Sequence, residues 1–126
     1  MKISGNTILI TGGGSGIGRE LAHRWHDLGN TVIVAGRTES ALAETATGRA
    51  DIHPMVLDVA DRADIARFAE AVLAAHPALN VLVNNAGIMR FEDITGARDL
   101  ADAEATIAIN LLGPIRLTDA LIDHLK

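Results

Sequence analysis

Short unbroken apolar runs alternate along the chain with segments whose apolar residues recur every three to four positions. Thr7-Ile8-Leu9-Ile10-Thr11 is the first run, β-branched and stopped by glycines; it predicts a buried strand. A helix follows over residues 16–28, where Ile17, Leu21, Trp25 and Leu28 form a stripe and Arg19, Glu20 and Asp27 lie elsewhere around the axis. Gly29-Asn30 stops it. Residues 31–35 predict a second buried strand, and residues 39–47 a short helix with Leu42 turned inward. Residues 52–57 predict a third strand, and Pro54 near its start suggests an edge position. Asp61 fits an N-cap, followed by the stripe Ile65, Phe68, Ala69 and Val72 of a helix that His76-Pro77 ends. Val81-Leu82-Val83 is apolar without alternation, as a strand covered on both faces should be. Residues 88–99 are polar and mixed and predict a loop. A long helix runs from about Asp102 to the C-terminus. This βαβαβαβα order predicts an α/β fold with a parallel sheet and right-handed crossovers.

Composition narrows the function classes. The 126 residues make one domain or a large piece of one, and 48% hydrophobic with 21% charged excludes wholesale disorder. There is no cysteine, hence no disulfide and no thiolate ligand or nucleophile. There is no tyrosine, so no phenol can serve as acid or base within these residues. Aromatics are Trp25, Phe68 and Phe91 only, and the net charge is −5; both argue against a nucleic-acid partner. Ile8-Leu9-Ile10 is far too short for a signal sequence. No stretch reads as a membrane span, which predicts a soluble cytoplasmic protein with no membrane partner. His23 and His26 could share a helix face, but no third ligand lies nearby and no metal site is expected. His76 and His124 lie near helix C-termini, where the dipole favours them.

The candidate chemistry begins after the first strand, in Thr11-Gly12-Gly13-Gly14-Ser15-Gly16-Ile17-Gly18. A helix N-terminus offers unpaired N–H groups and partial positive charge, and glycines let a phosphate approach the backbone. G-x-G-x-x-G cannot be placed on these glycines in any register. A Walker A loop nearly fits from Gly13 to Gly18, but Arg19-Glu20 stands where Lys-Ser/Thr is needed. The pattern that fits is T-G-x-x-x-G-x-G on Gly12, Gly16 and Gly18. Five glycines in seven residues are a heavy entropic load for a turn that binds nothing.

Thr11 to Gly18 resembles the cofactor loop of the short-chain dehydrogenase/reductase family. Asn84-Asn85-Ala86-Gly87 after the fourth strand looks like that family's N-N-A-G motif, and Asp58 and Asn110 also match in order. The resemblance covers the whole chain, which is about half of a typical member. It implies a Rossmann-like doubly wound sheet of strand order 3-2-1-4, incomplete relative to the full family fold. It implies an oxidoreductase that transfers hydride between nicotinamide and a small carbonyl or alcohol substrate. Gly12, Ser15, Gly16, Ile17 and Gly18 would then hold the pyrophosphate and nearby ribose. Asp58 would accept from the adenine amino group beside the Val59 backbone, and Asn84, Ala86 and Gly87 would line the ribose. Gly36 stands where an NAD-preferring site usually carries an acid, and Arg37 follows; together they favour NADP(H) over NAD(H). The family's catalytic contribution from this stretch would be Asn110, whose main chain holds a water in a proton relay. Pro114 supports this, because it lacks the N–H that the Asn110 carbonyl would otherwise engage, and with Gly113 it should kink the helix. Plainer roles stay open: a solvated arginine, a turn aspartate, an Asx turn at Asn84 and an ordinary proline kink.

The family also uses a serine and a Tyr-x-x-x-Lys helix. Neither a fifth strand with its following serine nor the Tyr-x-x-x-Lys helix occurs here, and the lysines are Lys2 and Lys126 alone. The expectation is therefore a cofactor-binding half that binds NADP(H) weakly and is inactive by itself. The alternatives are a non-catalytic dinucleotide-binding or interaction module and, more weakly, a nucleoside triphosphatase. Val81-Leu82-Val83 should form an open apolar edge, to be covered by further chain or by another subunit. The last helix carries apolar residues on two sides, Ile107, Leu111, Thr118 and Leu125 against Ile109, Leu112 and Leu117. One side can cover the sheet and another can meet a partner, which predicts a homo-oligomer contact.

Overall fold

The computed structural model describes residues 1–126. The elements are β1 (Thr7–Thr11), α1 (Gly16–Asp27), β2 (Thr31–Gly36), α2 (Glu39–Ala46), β3 (Ile52–Val56), α3 (Arg62–Ala75), β4 (Val81–Val83), α4 (Ala101–Ile107), a π turn (Ala108–Leu112) and α5 (Gly113–Leu125). The four strands form one sheet in the order β3-β2-β1-β4. Every pairing is parallel, with Leu9 opposite Ile33 and Leu82. This is the doubly wound arrangement and order expected, with Pro54 on an edge strand.

Alternation along the strands sorts the core into two layers. Leu9, Ile33 and Ala35 face Phe68 and Val72 of α3 and Leu117 and Leu121 of α5. Ile8, Ile10, Val32 and Val34 face Ala22 of α1 and Leu42 of α2. Both faces of β1 and β2 are covered, which is why these runs read as continuously apolar. At the amino ends of the strands a polar clasp ties the sheet together. Asn6 Nδ2 donates to Asn30 Oδ1 at 2.9 Å, Asn80 Nδ2 to Asn6 Oδ1 at 3.1 Å, and Thr7 N to Asn80 Oδ1 at 2.9 Å. Asp61 caps α3 by accepting from Ala63 N and Asp64 N at 2.9 and 3.3 Å. β4 pairs only with β1, and its three residues are half-buried, so its outer edge is open.

Four features depart from the pattern. In α1 the buried residues are Gly18 and Ala22, with Leu21 and Trp25 at the margin. Ile17 and Leu28, expected in the stripe, are exposed. The helix packs through Gly18 against the Gly12 carbonyl and Asn85, and Ile17 faces outward. The loop after β4 runs over residues 84–100, longer than the 88–99 expected. The last helix is continuous but opens into a π turn, where Gly113 N–H bonds to the Ala108 carbonyl five residues back. Proline removes one i+4 donor, and a single widened turn is a recognised way to absorb that loss. Finally, Ala101–Leu125 is long and apolar enough to cross a membrane by length and composition alone, at 25 residues and hydropathy 1.3, contrary to the reading that no stretch approaches a span. In the fold its Ile109, Leu117 and Leu121 pack into the core beside α3.

Candidate functional site

The carboxyl ends of the strands, where ligands bind in open parallel sheets, border a cleft of about 220 Å³. Gly12, Gly14 and Ser15 come from the loop after β1, and Gly36, Arg37 and Thr38 from the end of β2. Leu57, Asp58 and Val59 follow β3, and Ala86, Gly87 and Ile88 follow β4. The sheet thus gathers four loops that are far apart in sequence.

The glycine loop presents a row of free donors. The backbone N–H groups of Gly14, Ser15, Gly16, Ile17 and Gly18 find no acceptor within the protein. Ser15, the N-cap of α1, makes no side-chain cap bond, and the first turn of α1 has no acidic residue. An uncapped helix start of this kind is a ready anion site. Gly16 has φ +53, and a Cβ there would meet nothing within 4 Å, so the loop surface is open. Gly18 plays a different part. A Cβ on it would lie 2.2 Å from the Gly12 carbonyl oxygen, so this glycine lets α1 pack onto the loop.

Thr11 holds the loop to the end of β4. Its buried hydroxyl accepts from Asn85 N and Ala86 N, each at 3.0 Å. The Asn85 amide returns bonds to the Thr11 and Gly12 carbonyls at 3.1 and 3.4 Å. The Asn85 side chain is therefore a brace under the cleft, and the Ala86-Gly87 backbone is what lines it.

Arg37 is exposed and makes no hydrogen bond or ion pair within the protein. Its guanidinium is a free cation at the rim. Asp58 forms a tight turn, with Oδ1 accepting from Ala60 N at 2.9 Å, while Oδ2 has no protein donor. Its backbone N–H donates to Asp64 Oδ2 at 2.8 Å. The Arg67 hydrogen bond, and then the Asp58 N–H, hold the Asp64 carboxyl below its usual range. A carboxylate kept ionised thus fixes the turn that presents Asp58. Gly113 brings the last helix against this turn, where a Cβ would lie 2.8 Å from the Val59 carbonyl oxygen.

Asn110 lies on the π turn, and it is the side chain that is engaged. Oδ1 accepts from Ile88 N at 2.8 Å and Nδ2 donates to the Ile88 carbonyl at 2.7 Å. This reciprocal pair fixes the loop after Gly87. Asn84 points elsewhere, donating to Thr118 Oγ1 at 3.1 Å.

Of the residues singled out from sequence, Gly12, Ser15, Arg37, Asp58, Val59, Ala86 and Gly87 line the cleft together. Gly16, Ile17, Gly18, Asn84 and Asn110 do not line it. Sequence reasoning missed Thr11 and Asn85 as braces, although both stand inside the quoted motifs. It also missed Asp64, for which no local signal exists. Arg19, in the place of the Walker lysine, turns away from the anion row to bond the Gly14 and Ala41 carbonyls. That weakens the nucleoside triphosphatase alternative. His23 and His26 are also separately engaged, with the Thr45 carbonyl and with Asp27.

A family model described as short chain dehydrogenase matches residues 6–126. The chain belongs to the short-chain dehydrogenase family. A relative in Bacillus subtilis, the uncharacterized oxidoreductase DltE, is 44% identical over 126 residues, covering 99% of this chain and 50% of its own. A metagenomic short-chain oxidoreductase solved in complex with NADP is 33% identical with TM-score 0.88, over 97% of this chain and 57% of its own. A Brucella melitensis 3-ketoacyl-(acyl-carrier-protein) reductase complexed with NADH is 27% identical with TM-score 0.89, over 98% of this chain and 51% of its own. The chain spans about half the length of such short-chain dehydrogenases. The family binds nicotinamide dinucleotides, and these two solved members hold different ones.

Proposed function

We propose that the cleft is the dinucleotide site of an NADP(H)-preferring oxidoreductase acting on a small carbonyl or alcohol substrate. The observation that carries this reading is the row of five unpartnered N–H groups at the start of α1, of which Gly14 and Ser15 line the same cleft as the unpaired Arg37. The bound nicotinamide would supply the hydride. The amide row and the α1 dipole would hold the pyrophosphate, as they suit a doubly charged anion. Gly36 leaves room at the end of β2, and the Arg37 guanidinium suits a 2′-phosphate. The free Oδ2 of Asp58 can accept from an adenine amino group. Ala86 and Gly87 would flank the ribose, with Asn110 holding the adjoining loop in place and Asn84, bonded to Thr118, standing outside the cleft.

These 126 residues contain no tyrosine to protonate a substrate oxygen. Binding without turnover is therefore expected from this stretch alone. The exposed apolar face of the last helix, Leu111, Ile115 and Ile122, supports a homo-oligomer contact.

Titration of the chain with NADPH and NADH, followed by reduced-nicotinamide fluorescence, tests the reading. NADPH should bind at least ten times more tightly, and Arg37→Ala should weaken NADPH about tenfold or more, as loss of a charge-assisted pair would. NADH affinity should change less than about threefold. Equal affinities for the two dinucleotides would refute the preference, and binding of neither would refute the site.

A further inference from the structure

Arg19 and Thr45 form a contact that no motif announces. Arg19 follows the glycine loop on α1, and Thr45 lies near the end of α2. Arg19 Nε donates to Thr45 Oγ1 at 3.0 Å, and its Nη2 donates to the Gly14 carbonyl and, at 3.1 Å, to the Ala41 carbonyl. Thr45 is wholly buried, and its hydroxyl donates to the Gly13 carbonyl at 2.8 Å. His23 Nε2 donates to the Thr45 carbonyl at 2.9 Å and completes the tie. Two successive loop carbonyls, those of Gly13 and Gly14, are thereby held toward α2.

A trans peptide points its N–H opposite to its C=O. Fixing the Gly13 and Gly14 carbonyls toward α2 therefore turns the Gly14 and Ser15 N–H groups the other way. Those two N–H groups have no partner in the protein, and both residues line the cleft. α2 starts at Glu39, two residues after Arg37. The same contact thus sets the spacing between the amide row and the Arg37 cation.

We propose that Arg19 and Thr45 are positioning residues that hold the loop amides in register with Arg37. A ligand with phosphates at both ends of that span then binds without reordering the loop. This rests on the reading of the cleft as a dinucleotide site. It predicts a specific failure. A ligand engaging both the amide row and Arg37 should suffer when the tie is cut, whereas a ligand engaging the Arg37 end alone should not.

The test compares NADPH with 2′-AMP, which carries the adenosine and 2′-phosphate but no pyrophosphate. Thr45→Val and Arg19→Met should each weaken NADPH at least tenfold and leave 2′-AMP within about threefold of wild type. Thr45→Ser keeps the hydroxyl and should restore NADPH binding. Arg19→Lys cannot reach Thr45, Gly14 and Ala41 together and should not. If buried Thr45→Val fails to fold, the partly exposed Arg19 variants decide the matter. NADPH affinity unchanged in folded Arg19→Met, or parallel loss of 2′-AMP, would overturn the proposal. Failure of the wild-type chain to bind either dinucleotide would instead overturn the cofactor reading and this inference with it.

Discussion

Replacing Gly18 with alanine sets helix propensity against tertiary packing. Gly18 lies in the first turn of α1 without a left-handed φ. In an exposed helix the change would stabilise by about 1 kcal/mol. Here the new Cβ would sit 2.2 Å from the Gly12 carbonyl oxygen and 2.6 Å from Asn85 Nδ2. The first neighbour is backbone, and the second is an amide already bonded to the Thr11 and Gly12 carbonyls. Either α1 lifts off the sheet or Asn85 gives up its bonds. Overpacking of this kind costs about 1–3 kcal/mol, and each forfeited hydrogen bond about 1 kcal/mol. The expected net loss is about 2 kcal/mol once propensity is credited. Urea unfolding followed by circular dichroism should show the midpoint falling by about 1 M with unchanged slope. Gly48→Ala is the control, because Gly48 has φ +74 and open space, so its loss is conformational only. If Gly18→Ala matches or exceeds the wild-type midpoint, the close approach of α1 to the loop is wrong.

Thr11→Val keeps the shape but leaves Asn85 N and Ala86 N without their acceptor. It should destabilise by about 2 kcal/mol in the same assay, and a neutral result would remove Thr11 as the brace. Asn110→Ala deletes both bonds to Ile88. Limited proteolysis should then cut within residues 84–100 several times faster, and an unchanged rate would mean that something else holds the loop. His76 has its pKa held below 6.5, by burial first and then by the nearby His53 ring, whose centroid is 5.0 Å away. As pH falls below that value the unfolded chain takes up the proton first, so the contribution is complete above it and is lost as pH drops. Asp51 Oδ1 lies 3.6 Å from His53 Nε2. Thermal melts from about pH 8 to pH 5 should show stability declining on the acid side. His53→Asn should flatten part of that decline; an identical slope in the variant would rule out the ring pair.

Much of the fold was legible because it is locally encoded. β1, β2 and β4 are short apolar runs rich in β-branched residues, α3 carries a stripe at 3.6-residue spacing, and parallel pairing follows from the alternation of strands and helices. Thr11 to Gly18 also pointed to a candidate anion site, because glycine spacing at a helix start is a property of adjacent residues, whereas the absence of a cap bond from Ser15 is visible only in the fold. Sequence periodicity was less reliable for burial. The stripe through Ile17 and Leu28 was regular, yet both are exposed, because the face a helix buries depends on how closely it can approach the sheet.

What only the tertiary structure decided is the set of polar ties between residues distant in sequence. Thr11 meets Asn85 across 74 positions, Asn110 meets Ile88 across 22, and Arg19 meets Thr45 across 26. For Asn110 the sequence pointed to a freed carbonyl, whereas the fold puts its side chain to use. Hydrogen bonds act over about 3 Å and need alignment. Their partners are fixed only when the sheet order, the crossing of α1 over α2 and the π turn bring them within reach. The sequence by itself determined which elements form and where an anion could bind. The tertiary structure decided which side chains hold that site rigid, because neither their distance nor their direction is set by neighbours in the chain.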